Sequence, residues 1–163
     1  MKALGYPSMA VIAVAFCGAI ATAQAPKQPP AANTQDPATI KDIQATLGFV
    51  PQWLRAVPAE LLPSFWSTLK TFQMGTETAL DGKTKELIGL AVAAQIPCEY
   101  CVMFHTDVAR MHGASDQEIR EAVGMAAVTR EASTMLNGLA VDRAQFRKDL
   151  DRMVRNGKQQ AKR

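Results

Sequence analysis

The sequence predicts an all-α fold. Three observations carry that reading: apolar residues recur at three- and four-residue spacing, helix caps and stops punctuate the chain, and no stretch alternates as a strand does. The 163 residues include 18 Lys+Arg, 15 Asp+Glu, three Cys and 48% hydrophobic side chains, with a formal net charge of +3. That balance excludes a disordered chain, a disulfide-dense scaffold and a multi-spanning membrane protein. It also lacks the dense basic face of a nucleic-acid reader, so no nucleic-acid partner is expected. There is no internal repeat and no glycine-rich phosphate loop.

The amino terminus is set aside first. Lys2, an apolar run from Met9 to Ile20 and then Ala21-Thr22-Ala23 read as a secretory signal covering residues 1–23, with small residues where a signal peptidase needs them. The run is about a dozen residues, short of the ~20 that span a bilayer. A cleaved signal is therefore expected rather than an anchor, giving a periplasmic or secreted protein with no membrane association after cleavage. Cys17 leaves with the signal. Residues 24–37 carry four of the nine prolines and little to bury, and read as a Pro-rich linker.

From there the elements follow in order. Asp36-Pro37 opens a helix as a capping acid followed by proline, Ile40, Ile43 and Leu47 lie at helical spacing, and Gly48 ends it. Phe49–Leu54 begins a short turn. From Pro58, Leu61, Leu62, Phe65, Leu69 and Phe72 predict one buried stripe of a longer helix, with Pro63 in its first turn and Gly75 as its stop. After Asp81-Gly82, residues 87–96 are apolar nearly all round, which predicts a central, fully covered helix that stops at Pro97. A helix from Cys98 to Met111 runs back beside it and closes at Gly113. Ser115 and Glu118 form a capping box opening a further helix, interrupted at Leu136-Asn137-Gly138. From Asp142, Phe146, Leu150, Met153 and Val154 share one helical face. Residues 143–163 hold eight basic and two acidic side chains, read as a solvated polar face and tail.

The chemistry concentrates in one stretch. Once Cys17 is gone, the mature chain keeps a single pair, Cys98 and Cys101, three residues apart. In an oxidising compartment such a pair is a redox dithiol or part of a metal site, and it cannot be a long-range staple. On a helix, Cys98, Cys101 and His105 share one face. Cys98, just after Pro97, sits where free backbone N–H groups and the positive dipole end stabilise a thiolate, the form that attacks peroxides and disulfides. His105 supplies a base one turn after Cys101. Glu86 lies far from the Pro97 turn, as His105 does, so an antiparallel pair brings the two together in the order Glu86, His105, Cys101, Cys98. The alternatives are a metal site from Cys98, Cys101, His105 and Glu86, and a dithiol without function. His112, beside Gly113, reads as a helix C-terminal cation. C-type haem attachment is excluded because Val102 follows Cys101.

Glu86, eleven residues, Cys98-x-x-Cys101, three residues and His105 resemble the active-site pattern of the alkylhydroperoxidase D-like group within the carboxymuconolactone decarboxylase superfamily. The resemblance extends to Leu47-Gly48-Phe49-Val50-Pro51, to Leu80-Asp81-x-Lys83-Thr84-Lys85-Glu86-Leu87 and to Gly113-Ala114-Ser115-Asp116, and so covers most of residues 38–125 within a domain spanning 38–163. It implies an all-α domain with a central antiparallel helix pair carrying the CxxC motif. It also implies a thiol-dependent peroxidase reducing hydroperoxides: Cys101 becomes a sulfenic acid, Cys98 resolves it to a disulfide, and Glu86 and His105 complete a proton relay. Family members are trimers or hexamers, so a homo-oligomer is expected. No bound cofactor is called for, and the decarboxylases themselves lack the cysteine pair. Family peroxidases commonly have histidine where this chain has Tyr100. Well-understood members are cytoplasmic and draw on a lipoyl-type reductant, so an exported chain needs another reducing protein or dithiol. Thiol–disulfide exchange with a periplasmic partner is the alternative chemistry.

Overall fold

The computed structural model describes residues 35–161, and the expected signal, with Cys17 and the linker up to residue 34, lies outside them. Seven α-helices make up the described fold: α1 (Pro37–Leu47), α2 (Gln52–Arg55), α3 (Leu62–Thr68), α4 (Gly82–Gln95), α5 (Glu99–Met111), α6 (Asp116–Gly138) and α7 (Arg143–Gln160). A π-helical turn, Leu69–Gln73, continues α3. No strand occurs among the described residues, and the fold is all-α as expected.

Local chemistry sets most helix ends. The Asp36 side chain accepts from the Thr39 N–H (2.8 Å) with Pro37 in the first turn, and Gly48, at φ +81°, closes α1 in the left-handed region. At the end of α5 the N–H of Gly113, also at φ +81°, donates to Arg110 O, and that of Ala114 donates to Ala109 O, a Schellman closure. Ser115 and Glu118 then form the capping box of α6. Gly75 follows the π turn for a steric reason: a Cβ there would stand 2.1 Å from the Thr71 carbonyl oxygen.

Two apolar clusters hold the helices. Ile43, Leu54, Leu62 and Trp66 join α1, α2 and α3; Leu90, Ala109, Ala114 and Ile119 join α4, α5 and α6. A fully buried side chain of this kind stabilises by about 1.5–3 kcal/mol relative to an exposed one. In the first cluster the Gln35 amide lies within 3.2 Å of the Leu54, Arg55 and Val57 carbonyls, satisfying the end of α2. The Asp42 carboxylate accepts from Trp66 Nε1 (2.7 Å) and Lys70 Nζ (2.6 Å). The Lys70 ammonium, and then the indole, hold its pKa below the usual carboxylate value.

Three expectations are corrected. The buried stripe of α3 is Leu62 and Trp66, while Leu61, Phe65 and Phe72 are exposed. Pro63 starts the helix at Leu62 rather than Pro58, and the Trp66–Asp42 hydrogen bond decides which of several apolar faces turns inward. Second, α4 is covered on one side only: it packs on α5 and α6, leaving Ile88, Val92 and Ile96 at 50–61% exposure. Third, Cys98 is the cap of α5 rather than its first helical residue, with extended φ −96° and ψ 99°. The apolar face expected on α7 exists, yet α7 has no buried residue.

The α4–α6 packing also carries the clearest link between charge and stability. Lys83 Nζ donates to Glu118 Oε1 at 2.7 Å, and Glu118 also serves the capping box. These contacts, the Lys83 ammonium first and the Ser115 backbone N–H next, hold the Glu118 pKa down at about 2, from 4.5. A carboxyl depressed in the folded state stabilises above its unfolded pKa and loses that contribution as pH falls through the folded value. Glu118→Gln is therefore expected to lower the melting temperature near neutrality. Between about pH 5 and pH 2 the variant should lose less of its melting temperature than the wild type, as read by thermal unfolding followed by circular dichroism.

Candidate redox site

The site is assembled on the antiparallel α4–α5 pair. A Cβ on Gly82 would meet the His112 ring at 2.5 Å, and a Cβ on Gly89 would meet the His105 ring at 2.4 Å. The two glycines are seven residues apart on α4, the two histidines seven apart on α5 in reverse order, so each ring seats over a residue without a side chain. Glycine within a helix costs roughly 1 kcal/mol against alanine. Its presence at position 89 is explained by the approach of the imidazole.

Glu86, one turn earlier on α4, is 2% exposed. Its Oε2 lies 2.6 Å from His105 Nδ1, and its Oε1 accepts from Gln73 Nε2 at 3.2 Å. Where the Glu86 carboxylate accepts, Nδ1 is the donor, and a neutral ring then carries its lone pair on Nε2. The Phe104 ring stands edge-on to the imidazole with centroids 5.3 Å apart, and the His105 side chain keeps 19% exposure. Thus buried Glu86 and the partly exposed His105 imidazole meet across the helix pair, the juxtaposition expected from their spacing.

Cys98 and Cys101 occupy the head of α5, both half-buried, and are joined as a disulfide with Cα atoms 5.3 Å apart. Cys98 Sγ accepts from the Cys101 N–H at 3.3 Å, so the sulfur takes the place of a capping side-chain oxygen. Helical spacing puts Cys101 one turn before His105. Tyr100, between the cysteines, is 87% exposed and belongs to no core. His112 ends α5 as its cap residue, with its ring against Gly82. Among the described residues no group of three or more His, Cys, Asp or Glu side chains is arranged to hold a metal ion. In the four-residue set weighed as ligands, the two sulfurs share a bond and His105 Nδ1 is engaged by Glu86.

Beside Gln73 and Gly89 lies a cavity of about 490 Å³ whose walls include Phe72, Leu80, Ile88 and the stem of Lys85. The Lys85 ammonium donates to Gly75 O at 2.6 Å, tying the loop after the π turn to α4. Gln73 and Gly89 are the two site residues that sequence reasoning missed. Gly89 carried a usable signal, a glycine inside an apolar helix. Gln73 carried none, because its contact with Glu86 spans 13 residues through a π turn and a loop.

The sequence model of the Carboxymuconolactone decarboxylase family matches residues 60–144, which contain Glu86, both cysteines and His105. Over 52 residues the chain is 44% identical to "Uncharacterized protein 4 in cox locus" of Paracoccus denitrificans, a match covering 32% of this chain and 47% of that protein. The chain thus spans about half the length of the curated relative it matches. Among solved structures it resembles the alkylhydroperoxidase AhpD core of Rhodospirillum rubrum, with TM-score 0.58 and 33% identity over 67% of this chain and 84% of that one. A protein of Methanobacterium thermoautotrophicum aligns at TM-score 0.47 and 28% identity over 56% of this chain and 99% of that one. With the family model matching across the whole of the Glu86–His105 segment and an AhpD-like arrangement of helices around it, the chain belongs to the carboxymuconolactone decarboxylase family.

Proposed function

We propose that the protein is an exported, thiol-dependent peroxidase that reduces hydroperoxides through Cys101 and Cys98. The observation that carries the reading is the 2.6 Å contact of buried Glu86 with His105 Nδ1, one helical turn beyond a cysteine of a CxxC pair. Such a contact fits what a thiol peroxidase needs, a base whose proton is held on one nitrogen so that the other can accept. His105 takes the Cys101 proton through Nε2. The thiolate attacks one peroxide oxygen, the O–O bond breaks, sulfur is oxidised to a sulfenic acid, and the leaving alkoxide takes a proton from the relay to depart as alcohol. Cys98 then attacks the Cys101 sulfur as a thiolate, hydroxide leaves as water after protonation, and the disulfide forms. Two electrons and two protons from an external dithiol or reducing protein restore both thiols.

Thiol–disulfide exchange is the second reading. It is favoured by the exposure of Tyr100 and the half-buried cysteines, which leaves the CxxC turn open to a partner's thiol. Export rests on the sequence of residues 1–23.

The protein is further proposed to work as a homo-oligomer, a trimer or hexamer. Ile88, Val92 and Ile96 on α4 and Phe146, Leu150, Met153 and Val154 on α7 are large apolar groups left uncovered by their own chain. Contiguous faces of this kind mark association surfaces. Ile88 also walls the cavity, so a neighbour seated on α4 would border it.

Three measurements test these statements. Cys101→Ser should abolish hydroperoxide consumption, while Cys98→Ser should oxidise once and stall with a sulfenic acid that dimedone traps, read by mass spectrometry. Consumption unchanged in the Cys101 variant removes the peroxidase reading, and reductant-driven exchange retained without it selects the second. Gly89→Ala should push the imidazole off Glu86 and cut turnover about 10- to 100-fold with helix content intact, as a misplacement near 1 Å does. In sedimentation, the wild type should run at a multiple of three chains, and Leu150→Glu with Val154→Glu should shift it to smaller species.

A further inference from the structure

Gln73 belongs to none of the motifs around the cysteines, yet it makes the second contact of the buried acid. Glu86 has two oxygens and almost no access to water. One oxygen serves His105 and the other is met by the Gln73 amide at 3.2 Å. A buried carboxylate oxygen without a donor is costly, and the acid would relieve that cost by rotating or by keeping a proton. The amide gives Oε1 a donor while Oε2 meets Nδ1, so both oxygens have partners.

The backbone that presents Gln73 is itself unusual. It is the last residue of the π-helical turn, where Met74 N–H donates to Leu69 O at 2.9 Å in place of an α-helical bond. Single π turns are rare and occur frequently at functional sites. Gly75 closes the segment, and Lys85 Nζ holds its carbonyl against α4. Two separate ties therefore bring this turn to α4: the Lys85–Gly75 bond and the Gln73–Glu86 bond. Gln73 also lines the cavity shared with Ile88 and Gly89.

We infer that Gln73 is a positioning residue of the relay: its amide orients the Glu86 carboxylate so that His105 keeps its proton on Nδ1 and accepts the Cys101 proton at Nε2. This rests on the reading of Glu86 and His105 as the base that activates Cys101. It does not depend on hydroperoxide being the oxidant.

The test is the pH profile of Cys101 alkylation by iodoacetamide in the reduced full chain, resolved by fragment mass spectrometry, for wild type, Gln73→Leu and Gln73→Glu. Leucine fills similar space without a donor, and should slow Cys101 alkylation about tenfold across the range while circular dichroism stays unchanged. Glutamic acid can donate only while protonated. Its alkylation rate relative to wild type should be close to one near pH 5 and fall by about tenfold toward pH 8, where two carboxylates face each other. A purely structural role for Gln73 predicts equal, pH-independent losses in both variants, and that result overturns the inference. So does a wild-type profile in both. Hydroperoxide consumption by the wild type is measured in parallel. Its absence defeats the peroxidase reading while the alkylation profiles still decide the role of Gln73.

Discussion

A carboxylate buried to 2% exposure is affordable to this fold only because both of its oxygens are met, and much of the α4–α5 arrangement follows from meeting them. His105 must lie against α4 at Glu86, so α4 needs a residue without a side chain one turn on, and Gly89 is there. Gln73 must reach the other oxygen, so the segment after α3 must come to α4, and the π turn, Gly75 and the Lys85 bond bring it. The Leu90–Ala109 contact supplies the apolar packing beneath, with small residues letting the two helices approach. A polar contact of this kind specifies a geometry as much as it stabilises one, because every displacement leaves a buried group unmatched.

Features encoded over four or five residues were legible in the chain. Asp36-Pro37, the Gly113 closure and the Ser115–Glu118 capping box each contain their own partners, and appear where the residues put them. The pairing of Glu86 with His105 was legible too, because a proline between two helices turns sequence distance into opposition across a hairpin. The face of α3 was not. Leu61, Leu62, Phe65, Trp66 and Phe72 offer apolar groups in several directions, and the choice is made by Asp42, 24 residues from Trp66. The coverage of α4 was misjudged for a related reason: an all-round apolar helix says that every side can be buried, and not that one chain buries it. Gln73 depends on a π turn, a change of one hydrogen-bond register that composition does not announce.

Charge is distributed unevenly over this fold. The body from residue 24 to 142 carries 13 acidic and nine basic side chains, while the positive excess gathers on α7 and the tail beyond it. The apolar stripe of α7 lacks cover among the described residues, and Arg147 stands at its margin. Long cationic side chains at the margin of an apolar stripe add buried stem area while keeping their heads in water, and they suit an acidic surface better than a basic one. The chain's own acidic body has the matching sign.

The residue that caps α5 is also half of the disulfide. In most helices the group that satisfies the first free N–H is chemically inert, and the helix end is a fixed part of the scaffold. In this fold the Cys101 N–H leans on Cys98 sulfur, an atom that is a weak neutral acceptor when bonded to another sulfur and a full anion when released as thiolate. Reduction of the pair would therefore change the strength of the hydrogen bond that opens α5. The atom that caps the helix and one half of the disulfide are the same sulfur.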